Sequence, residues 1–354
     1  METNKNPFAD VIWRDAEKLG VEGRGWNDTG TPYERLPARA KGVVRDEVWA
    51  MSVGPAGLNV RFATDAEKIC IRWRPTAELE LSGARTRRRD GGFDCYGRGD
   101  DDEKWYWVGA KDPWTVESPD GMCDGVLNGA PLDGAFREYR VYLPLKVPMD
   151  HLDIGIPERA RFETVEQDER PPIVAYGTSI CHGSCVSRPG MTHLAILGRR
   201  LDYPVVNLGF GGNGMMEPEV VRYMTELDAA LFIIDCLPNM SPQLVADNMP
   251  GLVSTFREAR PDTPILFVGN RLFGDAAFIP SRRKGQEATS SVQRDILEEL
   301  QSERVPGLYL LPAQNFFGED FEGTADGSHP SDLGSLRMAD ALDPVVRDIL
   351  EDHV

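Results

Sequence analysis

The alternation of apolar and polar positions changes character near Val165 of this 354-residue chain. Upstream, apolar residues come in short runs rich in β-branched and aromatic side chains, broken by Gly, Pro and Asp. Residues 47–54, 58–64, 68–75, 78–83, 104–109 and 137–145 each have the length and partial alternation of a strand. No amphipathic helical pattern of good length falls among them. This part therefore predicts an all-β sandwich of jelly-roll type over residues 1–165. A charged stretch ending in Pro171-Pro172 reads as the linker.

From residue 171 to 354 the pattern is different. Apolar runs at 173–176, 204–210, 230–237, 263–270 and 307–312 alternate with amphipathic stretches at 191–201, 217–227, 241–260, 286–303 and 331–353. Strands that are apolar throughout, separated by amphipathic helices, indicate a parallel sheet covered on both faces. In such α/β sheets ligands bind outside the carboxyl ends of the strands. Those ends are where chemistry is to be sought.

Composition narrows the partners. With 41% hydrophobic and 27% charged residues the chain can build ordinary cores, and its length suits two domains. A net charge of −18 argues against a nucleic-acid partner. The run Arg85–Arg89 goes against that trend, as a solvated loop or a seat for an anionic substrate group. No apolar run approaches the ~20 residues that cross a bilayer, so no membrane partner is expected. The start lacks the basic and apolar regions of a signal peptide. Six scattered cysteines include no matched pair of Cys-x-x-Cys motifs. Together these features lead to the expectation of a cytoplasmic protein with reduced, packed thiols and no metal. The acidic run Asp100–Glu103 lacks the spaced ligands and glycine of a calcium loop and reads as a solvated turn.

Candidate chemistry begins with Ser179, Cys181 and His182, crowded just after the first apolar run of the second half. A serine needs a base to become a nucleophile. Of the five histidines, His353 is terminal, His151 lies in the sandwich half and His193 lies within a helix. His182 has no carboxylate near it in sequence and is too close to Ser179 for an easy hydrogen bond. His329 remains, in a loop before the last helix, with Asp326 three residues ahead to orient its ring. Acyl transfer also needs donors for an oxyanion. Glycines 209, 211, 212 and 214 follow one strand, and the Asn239 amide follows another.

These segments resemble the four blocks of the SGNH, or GDSL-type, hydrolase superfamily: Ser179 in YGTSICHG, Gly212 in NLGFGGNG, Asn239 in DCLPNM and His329 in DGSHPSDLG. The resemblance implies a serine esterase on a flavodoxin-like three-layer α/β fold, needing no cofactor. Ser179 would be the nucleophile, His329 the base and Asp326 its support. The N–H groups of Ser179 and Gly212 and the side chain of Asn239 would form the oxyanion hole. Thr178 stands where the motif name has Asp, which leaves the nucleophile assignment intact but weakens any choice of subfamily.

Segments 48–75, 91–109 and 137–145 are similar to the module that precedes some bacterial SGNH esterases. In that layout O-acetylated carbohydrates are a frequent substrate class, which implies a small-molecule ester, an acetylated sugar, as partner. The superfamily also includes hydrolases of lipids, thioesters and aryl esters. A non-catalytic carbohydrate-binding relative and a cysteine hydrolase using Cys181 are the remaining alternatives. Asp94 and Tyr96 are candidates for reaching substrate. Trp105, with Tyr106 and Trp107, either forms a sugar platform or packs into its strand. His182 and Cys181 line the pocket or pack around it. The module can also cover a flank of the catalytic unit or build a homo-oligomer.

Overall fold

The computed structural model describes residues 7–76, 90, 92–99, 104–111 and 121–353. Among these, the first half forms β1 (Val11–Asp15), β2 (Val21–Glu22), β3 (Asn59–Thr64), β4 (Cys70–Pro75), β5 (Phe93–Arg98), β6 (Trp105–Lys111), β7 (Cys123–Val126), β8 (Arg137–Tyr142), β9 (Met149–Pro157) and β10 (Phe162–Thr164). They pair antiparallel in two sheets, β1-β9-β4-β7 and β10-β3-β8-β5-β6, with β2 added to β3. Alternate residues of the two sheets, among them Phe62, Ile71, Trp73, Phe93, Val141 and Ile154, meet in one core. Trp73 stands edge-on to Phe93 with ring centres 5.2 Å apart. This is the expected β-sandwich. The 78–83 run, Arg85–Arg89 and Asp100–Glu103 lie outside the described residues.

The second half forms β11 (Ile173–Gly177), β12 (Val205–Gly209), β13 (Leu231–Asp235), β14 (Ile265–Val268) and β15 (Leu308–Leu311). All are parallel, in the order β12-β11-β13-β14-β15. Side chains alternate across the sheet. Val174 and Tyr176 face a core shared with helices 218–224, 242–259 and 280–302, through Val220, Met249, Phe256 and Leu297. Ile173 and Ala175 face the opposite core, with Leu194 and Leu197 of helix 193–201 and Met338, Leu342 and Val346 of helix 332–353. The result is the three-layer α/β sandwich with a parallel sheet. Strand order reverses at β11, which opens a crevice above its carboxyl end.

Two readings change. Residues 47–54 are not a strand: Asp46–Ser52 is a helix. Its buried residues, Val48 and Ser52, are four apart on one face, and Asp46 and Glu47 sit in the first turn, where their charge suits the helix dipole. The stretch also belongs to the other core, because Trp26, Leu36, Ala40, Val44 and Val48 pack with Val206, Leu208 and Phe210 around β12. The linker contributes as well, since its residues 162–164 pair with β3 as an edge strand.

Arg35 fastens this crossing segment. Its side chain is buried and donates to the carbonyls of Gly54 (2.9 Å), Met51 (2.5 Å), Asn207 (3.1 Å) and Gly209 (2.7 Å). Two of these acceptors lie in or beside the crossing helix and two at the carboxyl end of β12. We expect Arg35→Met to cost about 3–5 kcal/mol, because buried carbonyls lose their donors. Urea unfolding followed by tryptophan fluorescence measures this, and a loss below about 1 kcal/mol would contradict it.

Candidate active site

The carboxyl ends of β11, β12 and β13 and the loop before helix 332–353 converge on one place. β11 ends at Gly177, and Thr178 caps the short helix Ser179–His182, its Oγ1 accepting from the Ile180 N–H at 3.3 Å. Ser179 is the first residue of that helix, where a backbone N–H has no intrahelical acceptor. Its Oγ lies 2.8 Å from His329 Nε2. On the far side of the ring, Nδ1 lies 2.7 Å from Asp326 Oδ2. The other carboxylate oxygen accepts from the N–H groups of Ser328 (3.0 Å) and His329 (2.8 Å). Burial pushes the Asp326 carboxyl up, but these donors and the imidazole outweigh it and hold the group well below the usual carboxylate range. It is therefore an anion throughout the neutral range, placed to fix the ring with Nε2 toward the serine.

Gly212 lies on the loop after β12 with φ +73°, a conformation that disfavours a side chain, and a Cβ there would meet nothing within 4 Å. Among the described residues its N–H has no acceptor. Asn239 ends a turn of 3-10 helix after β13, its Nδ2 donating to the Asn213 carbonyl at 2.7 Å. Ser179, Gly212 and Asn239 thus follow three different strands, β11, β12 and β13.

The candidates expected to touch substrate have these surroundings. Asp94 is fully buried and spends its oxygens on Arg188 (2.7 Å), the Gly190 N–H (2.9 Å) and Trp107 Nε1 (2.9 Å). Tyr96 is buried against the same arginine, its hydroxyl 2.5 Å from Arg188 Nη1. Trp105 lies beneath the guanidinium groups of Arg98 and Arg140, each 4.7 Å from its ring centre. His182 is buried, with Nε2 donating to the Leu145 carbonyl (2.9 Å) and Nδ1 accepting from the Gly211 N–H (3.3 Å). Asp94, Tyr96 and His182 thus have polar atoms bonded within the protein, and the Trp105 ring lies against two guanidinium groups. Arg188, which the sequence does not single out, is the group that Asp94 and Tyr96 hold. Tyr106 and Trp107 are the exposed aromatics of β6. An open hollow of about 480 Å³ borders the site at Pro238, Met240, Asn270, Phe273, Arg282 and Ser328.

Cys181 is packed in the core against Ile180 and Leu194, and burial pushes its thiol up, so it is a neutral packing group. Among the described residues, two trios bring metal-type donors within 4.8 Å of one another: Cys185, Asp326 and His329, and Cys181, His193 and Asp235. In the first, Asp326 and His329 already bond each other. The second is met by Arg271, whose Nη2 lies 2.5 Å from Asp235.

A family model described as the GDSL-like lipase/acylhydrolase family matches residues 170–347, and one described as the N-terminus of SGNH-hydrolase-type esterases matches residues 11–162. A Bacteroides ovatus protein designated a GDSL-like lipase is 31% identical, with a TM-score of 0.88 over 96% of this chain and 98% of that one. The chain belongs to the GDSL-like lipase/acylhydrolase, or SGNH, family and is an esterase. The fold is shared at lower identity by two other proteins. One is the salicylyl-acyltransferase SsfX3 from a tetracycline biosynthetic pathway, with 16% identity, 98% and 96% coverage and a TM-score of 0.71. The other is a family two carbohydrate esterase from Clostridium thermocellum in complex with cellohexaose, with 14% identity, 84% and 93% coverage and a TM-score of 0.57. No curated protein matches significantly.

Behind the site, burial lowers the pKa of His193 to about 4. The unfolded chain, with histidine near 6.5, binds more protons between those values, so this contribution to stability is complete above about pH 6.5 and is lost as pH falls toward 4. The loss amounts to roughly 2–3 kcal/mol. His193→Gln should flatten the fall of Tm over that interval relative to the parent; an unchanged slope would exclude His193 as its source.

Proposed function

We propose that the chain is a serine esterase that removes a short acyl group, acetyl, from a carbohydrate hydroxyl through an acyl-enzyme on Ser179. The observation that carries this reading is the hydrogen-bonded line Ser179–His329–Asp326, at 2.8 and 2.7 Å. His329 Nε2 takes the hydroxyl proton as Oγ attacks the ester carbonyl. Asp326, held as an anion, stabilises the imidazolium that forms. Negative charge developing on the carbonyl oxygen is met by the N–H groups of Ser179 and Gly212 and by Asn239 Nδ2. The intermediate collapses with the proton passing from His329 to the departing alcohol. Water, deprotonated by the same nitrogen, then attacks the acyl-enzyme and releases the acid.

The catalytic unit in this reading is residues 171–354 and the sandwich module is residues 1–165. Support for a sugar substrate comes from Trp107, exposed on β6 with its ring beside Arg188 of the segment after the serine, and from the fold shared with a carbohydrate esterase that holds cellohexaose. Six cysteines without a disulfide and the absence, among the described residues, of any helix long and apolar enough to cross a membrane support a cytoplasmic setting.

Ser179→Ala should fold as the parent does, by circular dichroism, and lose p-nitrophenyl acetate hydrolysis and fluorophosphonate labelling together. Undiminished turnover would remove Ser179 as nucleophile. Against a panel of acetylated sugars and long-chain esters, free acid should appear from the acetyl sugars. Turnover of long chains alone would overturn the substrate assignment.

Asn239→Ala should lower kcat roughly 10²–10³-fold with a smaller change in KM. A rise in KM at constant kcat would show that Asn239 contributes only ground-state binding.

A further inference from the structure

At the opposite end of the sheet from Ser179, a cavity of about 200 Å³ separates the sandwich from the α/β unit. It is bordered by Pro172 and Val205 at the amino-terminal ends of β11 and β12, by Gly198 of helix 193–201, by Asn59 and Arg140 of β3 and β8, and by Arg24 of the crossing segment. None of these residues is in the Ser179 constellation.

The cavity has unmet polar demand. Arg140 is 8% exposed and Asn59 is 7% exposed. The Nε atoms of Arg140 and Arg24 and Oδ1 of Asn59 are buried without a hydrogen-bond partner among the described residues. Other charges around it are matched, Glu22 by Arg61 at 2.6 Å and Asp168 by Arg170 at 2.5 Å. Asp202, whose charge is felt by Arg140, gives its oxygens to Arg98 at 2.9 and 3.4 Å. In a chain with 57 acidic and 39 basic side chains, it is unusual that neither the half-exposed Arg24 nor the buried Arg140 is bonded to a carboxylate among the described residues. A buried Nε–H without an acceptor is costly, and buried polar atoms nearly always find a partner. Guanidinium groups match the flat, multidentate face of an oxyanion. The Asn59 oxygen asks for a donor.

We propose that this cavity binds a small oxyanion bearing a hydroxyl, a phosphate or a hydroxycarboxylate, with Arg24 and Arg140 on its oxygens and Asn59 accepting from the hydroxyl. The bound anion bridges β3 and β8 to the edge of the parallel sheet, and so fastens the two halves together. Its chemistry is independent of the esterase reaction.

Thermal unfolding of the full chain, titrated with inorganic phosphate at ionic strength held constant with sodium chloride, tests this directly. A saturable rise in Tm is expected from phosphate, a smaller one from sulfate, which offers no hydroxyl at neutral pH, and none from chloride. Glycolate in place of phosphate distinguishes the carboxylate form of the ligand. Arg24→Met and Arg140→Met should each weaken the phosphate effect at least tenfold. If Arg140→Met does not fold, Arg24→Met, at the half-exposed position, carries the test. The effect should persist in Ser179→Ala and in Asn239→Ala. No saturable rise with phosphate, sulfate or glycolate would overturn the proposal, as would an undiminished rise in Arg24→Met. Loss of the rise in Ser179→Ala would move the anion to the active site and overturn it equally.

Discussion

The carboxyl end of β12 is where the two halves of the molecule are joined, and Arg35 makes the joint. A guanidinium taken out of water must satisfy its donors inside the protein. Here it does so on four backbone carbonyls, two from the crossing segment and two from β12. β12 is an edge strand paired with β11 alone, so its outward carbonyls at Asn207 and Gly209 have no ladder partner, and donor and acceptors settle one another's demand. Asn207 extends the joint, its Nδ2 donating to the Cys181 carbonyl at 2.9 Å in the helix that begins with Ser179. The loop bearing Gly212 and the helix bearing Ser179 are thereby referred to the same anchored strand end.

The sandwich module bears on the candidate active site through that joint and through two further braces. His182 spans from the Leu145 carbonyl of the module to the Gly211 N–H, next to the proposed oxyanion donor. Its ring is used as a rigid rod, with one nitrogen donating and the other accepting, and burial keeps water from competing. Asp94, from β5, holds Arg188 and the Gly190 N–H on the segment that follows the serine. Ser187 on that segment bonds Asp332 at the start of the last helix, just after His329. The serine and the histidine, 150 positions apart, are thus framed by contacts that do not involve the reacting groups. This explains why buried polar side chains gather around a site whose own reactive atoms are few.

Much of the architecture was legible because burial leaves a period in the sequence. A strand covered on both faces is apolar at every position, as in Ile173–Tyr176 and Leu231–Ile234, and a covered helix is apolar on one side. Residues 47–54 misled for the same reason. Val48, Trp49 and Met51 are apolar and close together, and a short run does not distinguish period 2 from period 3.6. The helical answer came from which core was available, that around β12. The hydrogen-bond partners of Asp94, Tyr96 and His182 were illegible in another way. A polar side chain near a proposed site reads identically whether it faces a ligand or a backbone amide.

Neighbouring residues alone were enough to read the sandwich and parallel-sheet classes, the order of the five parallel strands along the chain, and Ser179, Asn239, Asp326 and His329 as candidates, with Gly212 picked out from its neighbouring glycines by the family resemblance. They were enough because local spacing and strand-end position are properties of neighbouring residues. Tertiary packing alone sets Ser179 Oγ and His329 Nε2 2.8 Å apart, lets Arg35 and His182 bind one half to the other, and places Arg24 and Arg140 on one cavity. Those facts depend on where distant segments pack. Distance in space is set by the summed burial of whole layers, which no local pattern records.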